Sequence, residues 1–163
     1  MPAESLAALG SVVGKLLKDR KQTLGVAESS AGGLINAALV AVPGASAYYL
    51  GGCIIYTGAG RSALLGLTAQ DMAGIRSASE PFAKLLAQRV RERLGATWGL
   101  SETGASCPAG NRYGDPPGHA CIAVSGPIDA VITIETASAN REANMRVFAK
   151  RAVALLEECM RKA

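Results

Sequence analysis

A three-layer α/β/α domain with a mixed, mostly parallel sheet is the fold class the sequence predicts, on three observations. Short apolar segments rich in β-branched residues alternate with segments that carry apolar residues at helical spacing, in the order α-β-α-β-α-α-β-β-β-α. The chain has 163 residues, the length of one ordinary domain. No linker, internal repeat or low-complexity tract divides it, so 1–163 reads as a single domain. Apolar residues make up 49% and charged residues 18%, which supports a core without metal or disulfide.

Each element has its own signal. Leu6, Leu9, Val13, Leu16 and Leu17 share one helical face and predict a helix over 4–19. Thr23 to Ala27 is short and apolar and reads as a buried strand. Leu34 to Val40 is a helix that stops before Pro43-Gly44. Tyr48 to Tyr56 is the next strand, with Gly51-Gly52 allowing a bulge or a close backbone approach. A short helix spans Arg61 to Leu65. Ser79 opens a further helix, Pro81 sits in its first turn, and Gly95 ends it. Thr97 to Thr103 and His119 to Val124 are strands, separated by a long Gly/Pro/Asn/Asp-rich loop over Gly104 to Gly118. A loop of that length marks a candidate site. Ile128 to Thr136 alternates apolar and polar, as a half-exposed antiparallel strand does. Asn140 caps a long last helix that carries Met145, Phe148, Ala152, Leu155, Leu156 and Cys159.

Composition excludes several function classes. His119 is the single histidine, so a site with two or three His ligands is out of reach. Cys53, Cys107, Cys121 and Cys159 form no C-x-x-C pair, which disfavours zinc, iron–sulfur and thioredoxin-like chemistry and reads as buried thiols in a reducing compartment. The net charge of +4 is mild, and the basic stretches Lys15–Lys21 and Arg89–Arg93 carry acids among them. They read as solvated helix faces, and no nucleic-acid partner is expected. No apolar run reaches a membrane span, and the first residues lack a secretory pattern, so the expectation is a cytoplasmic protein with no membrane contact.

The segment Glu28-Ser29-Ser30-Ala31-Gly32-Gly33 runs from a strand into a helix. A helix that starts there leaves backbone N–H groups unpaired, which favour a phosphate or a developing oxyanion. Gly32 and Gly33 permit close approach of a ligand to the backbone. A serine at this place is either an ordinary N-cap or a nucleophile or ligand contact. No Gly-Lys-Ser/Thr follows, so the segment is not a P-loop.

Ala27-Glu28-Ser29-Ser30-Ala31-Gly32-Gly33 resembles the A-E-S-C-T-G-G signature of the C-terminal domain of CinA proteins. The likeness continues in order through Pro43-Gly44-Ala45-Ser46, Gly51-Gly52-Cys53-Ile54-Ile55-Tyr56, Leu64-Leu65-Gly66-Leu67, Ala78-Ser79-Glu80, Thr103-Gly104-Ala105-Ser106, Pro116-Pro117-Gly118 and Asn140-Arg141. That family includes bacterial nicotinamide mononucleotide deamidases, which hydrolyse the carboxamide to nicotinic acid mononucleotide and ammonia. The resemblance implies a CinA C-terminal-like fold and a Ser–Lys type amidohydrolase with no metal and no cofactor. Its partner would be a pyridine mononucleotide, and the chain a homo-oligomer. Carried over by motif, Ser29 is the nucleophile and Tyr56 the supporting tyrosine. Glu28, Ser30, Gly32, Gly33, Thr103, Gly104, Ala105, Ser106 and Arg141 are the substrate-binding set.

The match breaks at the lysine. Where the family reads Y-S-N-E-A-K, this chain reads Tyr56-Thr57-Gly58-Ala59-Gly60-Arg61. A lysine amine deprotonates when desolvated and then serves as a general base; a guanidinium does not. Three expectations follow: an amidohydrolase in which Arg61 supplies charge rather than basicity, a non-catalytic nucleotide-binding domain, or a protein-interaction module with an empty pocket, whose two amphipathic terminal helices support a homo-oligomer. His119 substitutes as the base only if its strand begins beside the pocket, and Glu28 only if it points inward. Arg112 and Tyr113 read either as a solvated loop or as part of the site.

Overall fold

The computed structural model describes residues 4–106 and 108–163. Cys107, the remaining cysteine of the sequence, lies outside them. Five helices and five strands follow the predicted order: α1 (Leu6–Arg20), β1 (Leu24–Glu28), α2 (Leu34–Val40), β2 (Tyr49–Ile54), α3 (Gly58–Leu65), α4 (Glu80–Leu94), β3 (Trp98–Ala105), β4 (His119–Ser125), β5 (Ala130–Glu135) and α5 (Arg141–Lys162). A single 3₁₀ turn, Ala45–Ala47, precedes β2.

The helix ends are set by local chemistry. Ser5, Thr57, Ser79 and Asn140 cap α1, α3, α4 and α5 by accepting a backbone N–H through their side chains. Gly66 and Gly95 close α3 and α4 in the left-handed conformation, where a Cβ is costly. α3 begins three residues before the sequence places it, because Thr57 caps it ahead of two small residues and a glycine.

The sheet runs β2-β1-β3-β4-β5. β1 pairs parallel with both β2 and β3; β3–β4 and β4–β5 are antiparallel. The sheet is therefore mixed in equal parts rather than mostly parallel. The cause is the return of the chain after β3 by hairpin-type connections instead of helical crossovers. The pairing of β1 with β2 slips between Leu24 and Gly25, which leaves Leu50 as a bulge beside Gly51. A Cβ on Gly52 would run into Asn36 Oδ1, so α2 lies close against β2 there.

α1, α2 and α5 cover one face of the sheet, with Val13, Leu17, Val26, Leu39, Leu100 and Phe148 in the core between them. α3 and α4 cover the other face over Ala27, Ile55, Leu65, Phe82 and Leu86. The apolar stripes of the two terminal helices are consumed inside the domain, since α1 and α5 pack on each other and on this core. They are not the free oligomer surface that the sequence implied. Among the described residues no helix is long and apolar enough to cross a membrane.

The order of strands reverses at β1: the chain leaves it toward β2 on one side and returns to β3 on the other. The carboxyl ends of β1, β2 and β3 thus open side by side. A crevice at such a switch point is the usual ligand position in an open α/β sheet.

Candidate functional site

A cavity of about 280 Å³ fills that crevice, near the lower end of the range for small-molecule sites. Ser29 lines it from the end of β1, Tyr56, Thr57, Gly58 and Arg61 from the end of β2 and the start of α3. Ser77, Ala78 and Phe82 line it from the approach to α4, and Thr103 and Gly104 from the end of β3. Asn111 and Tyr113 close it from the long loop. Ser29, Tyr56, Arg61, Thr103 and Gly104 of the sequence-derived set meet here.

Strand alternation explains which residues reach the cavity. Successive side chains of β1 point to opposite faces. Val26 and Glu28 face α2 and α5, while Ala27 packs against α3 and α4 and Ser29 follows on that same side. Ser29 is half-buried at the tip. Thr103 turns toward α4 and accepts the Ala78 N–H at 3.2 Å. That bond steadies Ala78, whose φ of 54° is unusual for a residue with a Cβ. His119 Nε2–H donates to the Ala78 carbonyl at 2.9 Å from the opposite side.

Arg61 is held by two contacts. Its Nη1 donates to Ser77 Oγ at 3.1 Å, and its guanidinium lies 5.5 Å from the Phe82 ring centroid. At the rim, Arg141 Nη2 donates to the Tyr56 hydroxyl at 2.7 Å. Arg141, from the first turn of α5, therefore reaches the site through Tyr56 rather than as part of the cavity lining. The loop is organised around Asp115. Its carboxylate accepts from Arg76 at 2.7 and 3.1 Å and from Asn111 at 2.8 Å, and the bonds from Arg76 hold it below the usual carboxylate range. Tyr113 lies beneath two guanidinium groups, Arg76 at 5.2 Å and Arg112 at 5.0 Å. The Arg112 hydrogen bond, 2.9 Å long, pulls the Tyr113 phenol below its ordinary value. Arg112 and Tyr113 are thus an ordered part of the rim.

Several of the expected contacts lie elsewhere. Glu28 is fully buried and does not face the cavity. Its carboxylate accepts the N–H groups of Gly33 at 2.5 Å, Ile35 at 3.3 Å and Asn36 at 2.8 Å, and the Asn36 side chain at 2.6 Å. Burial raises its pKa against the pull of those bonds. The helix end that the sequence assigns to a ligand anion is therefore capped by the protein's own carboxylate. Gly32 and Gly33 do take left-handed φ values of 67° and 101°. They serve the turn, however; a Cβ on Gly32 would come within 2.7 Å of Met145 Cε.

Ser30 is buried and donates to Glu102. Ala105 belongs to β3, paired with His119, so the strand runs two residues further than Thr103. Ser106 is buried beyond it, with a hydroxyl that has no hydrogen-bond partner among the described residues. Ala105 and Ser106 do not line the cavity. Nor does His119, whose ring is buried between the Ala78 carbonyl and the Glu135 carboxylate. Neither His119 nor Glu28 is placed to serve as base.

Glu102 is the residue sequence reasoning missed. It is fully buried, and its Oε2 accepts the N–H groups of Ser29 at 3.1 Å and Ala31 at 2.9 Å. Burial pushes its pKa up to about 7. The available signal was a glutamate in the middle of a strand, between Ser101 and Thr103, since a charge in such a place needs partners. The three cysteines among the described residues are free: Cys121 and Cys159 are buried and Cys53 is partly so, as expected of packed thiols. No group of metal-ligating residues occurs among the described residues.

The topology and this crevice define an α/β domain of the CinA type. The family model of the CinA C-terminal domain matches residues 6–160, and the chain belongs to that family. It is 37% identical over 154 residues, 94% of its length, to a CinA-like protein of Gloeothece citriformis, of which the match covers 37%. It is 44% identical over 119 residues to a CinA-like protein of Acaryochloris marina, covering 73% of this chain and 28% of that one. The chain thus spans about a third of the length of these curated relatives. Among solved structures, a CinA superfamily protein from Escherichia coli superposes with a TM-score of 0.89 at 23% identity, over 97% of this chain and 92% of that one. One from Klebsiella pneumoniae superposes at 0.91, again at 23% identity, over 98% and 100%.

Proposed function

We propose that the Ser29 cavity binds nicotinamide mononucleotide, or a close pyridine mononucleotide, and hydrolyses its carboxamide slowly because the base is missing. The observation that carries this reading is the meeting of Ser29, Tyr56 and Arg61 in one crevice. In the order of events, Arg61 attracts the anionic ligand and Ser29 Oγ attacks the amide carbon. The Tyr56 hydroxyl, steadied by Arg141, assists the proton transfers. Ammonia leaves, and water releases the acid. The slow step is removal of the Ser29 proton, because among the described residues no amine, imidazole or carboxylate lines the cavity. A general base contributes about 10²–10⁴-fold, and that factor is absent here.

Ammonia release from nicotinamide mononucleotide by the purified protein tests the reading. A low rate that disappears in Ser29→Ala is expected. Equal rates in the two proteins would remove Ser29 from the chemistry. The same lining favours a second reading, a nucleotide-binding domain without turnover. Calorimetric binding of the mononucleotide with no ammonia would establish it. Exposed Leu50, Ile54, Leu64 and Leu94 surround the edge strand β2, and we place the contact of a homo-oligomer there. Light scattering showing only monomers would remove that contact.

A further inference from the structure

Glu102 lies directly behind the Ser29 turn, on the face of the sheet opposite the cavity. Two N–H groups of the turn, Ser29 and Ala31, donate to one oxygen of its carboxylate. The Ser30 hydroxyl donates to the other. Three consecutive residues of the nucleophile turn therefore hang on one side chain. Those amides would otherwise point at a bound anion or at solvent; here they point at an internal negative group. We propose that Glu102 positions Ser29, and that its charge state sets how well the Ser29 cavity accepts an anion.

The geometry tolerates both charge states, as a titrating support requires. With the carboxylate ionised, both oxygens accept. With a proton on Oε1, that oxygen donates to Ser30 Oγ, and Oε2 still accepts from Ser29 and Ala31. A hydroxyl is the side chain that can reverse its role in this way. The environment keeps the proton within reach near neutrality, since full burial opposes the charge and the bonds from the turn only partly offset it.

Few charged groups bear on the site. From β1 there is Glu28, whose negative charge adds to the same effect. α2 has no ionisable side chain, and the β4 residue paired with Glu102 is Ile122. α5 brings Met145 close to the turn, while its nearby Arg141 is directed to Tyr56 and Glu142 pairs with Arg146 at the surface.

The proposal relies on the ligand named above only for its binding arm. Glu102→Gln is nearly isosteric. Its carbonyl oxygen accepts from Ser29 and Ala31, its amide donates to Ser30, and it does not titrate. In the 163-residue chain without ligand, the backbone amide resonances of Ser29 and Ala31 are followed by NMR from about pH 5.5 to 8.5. We expect both to shift with one shared midpoint near 7, and both to be flat in Glu102→Gln. Absence of a midpoint in the wild type, or the same midpoint in the variant, overturns the proposal whether or not any nucleotide binds.

Calorimetry with nicotinamide mononucleotide at pH 6 and pH 8 supplies the second arm. The ratio of variant to wild-type affinity should grow at least threefold from the lower pH to the higher. A constant ratio overturns the coupling to the cavity. No binding in either protein overturns the proposed function, and the amide titration then decides the role of Glu102 alone.

Discussion

Arg141 Nη2 donates to the Tyr56 hydroxyl at 2.7 Å, and this bond ties the first turn of α5 to the segment that follows β2. A cation in a first helical turn opposes the helix dipole unless something negative or accepting meets it. Here the phenolic oxygen does, at the mouth of the cavity. Tyr56 is 59% exposed, so its direction depends on this bond more than on packing. Arg141→Ala should weaken nucleotide binding or raise KM by roughly 3–10-fold, the net loss of about one ordinary hydrogen bond at an exposed site. Tyr56→Phe should do the same, and the double variant should add little, since the two act as one unit.

Glu28 makes a prediction of the opposite kind, strong on stability. Its carboxylate satisfies the N–H of the N-cap Gly33, two N–H groups in the first turn of α2 and the Asn36 amide. Glu28→Ala orphans these donors in a buried place, each at about 1–3 kcal/mol. The expected cost is about 3 kcal/mol or more, read as a lower urea midpoint. A change under about 1 kcal/mol would show that water replaces the carboxylate there.

The pH dependence of stability follows from Glu102. Its folded pKa of about 7 lies above its ordinary value, so between those limits the folded protein holds a proton that the unfolded chain gives up. The stability contribution is present at low pH and disappears as pH rises through about 7. The size is at most about 3 kcal/mol, at 1.36 kcal/mol per pKa unit. Urea unfolding of wild type should weaken from pH 5 to 7.5 relative to Glu102→Gln. Parallel curves would place the Glu102 pKa near its ordinary value.

These two carboxylates also mark what was legible in the sequence. The element order, the caps at Ser79 and Asn140 and the stop at Gly95 are local signals, and each appears where local chemistry put it. Ser29 was legible at the strand-to-helix turn, Tyr56 and Arg61 only through the family motif, and all three line one crevice. What escaped was the use of the amides after β1. Glu28 caps the start of α2 from within the same segment, whereas the Ser29 and Ala31 amides are taken by Glu102, 73 residues away from Ser29, which only tertiary placement brings there. Strand alternation alone would have turned Glu28 away from Ser29, a signal present in the sequence and outweighed by the motif. The extension of β3 through Ala105 depends on its pairing with His119, which no local pattern states.

The Arg76–Asp115 pair predicts how the rim behaves. It joins the segment before α4 to the long loop, and Asp115 is further fixed by Asn111. Arg76 is 41% exposed, so the pair itself contributes no more than about 1 kcal/mol. Asp115→Asn should leave global unfolding within that range and yet speed hydrogen exchange and proteolytic cleavage across the loop. Because the Asp115 pKa is lowered, its contribution is present above about pH 4 and is lost in more acidic solution. Unchanged exchange in the loop would assign its order to packing instead.

Arg61→Lys tests the chemistry most directly. The position lines the same cavity as Ser29 and lies beside the Phe82 ring. A lysine there exchanges a fixed cation for an amine that deprotonates when partly desolvated. Ammonia release from nicotinamide mononucleotide should rise at least about tenfold, a conservative share of what a general base supplies. The gain should itself depend on pH, growing as the ammonium loses its proton and levelling off beyond its pKa. Wild type carries no such amine and should lack that alkaline limb. A variant that binds nucleotide as wild type does, but gains no rate at any pH from 6 to 9, would show that the geometry around Ser29, and not the residue at position 61, limits hydrolysis.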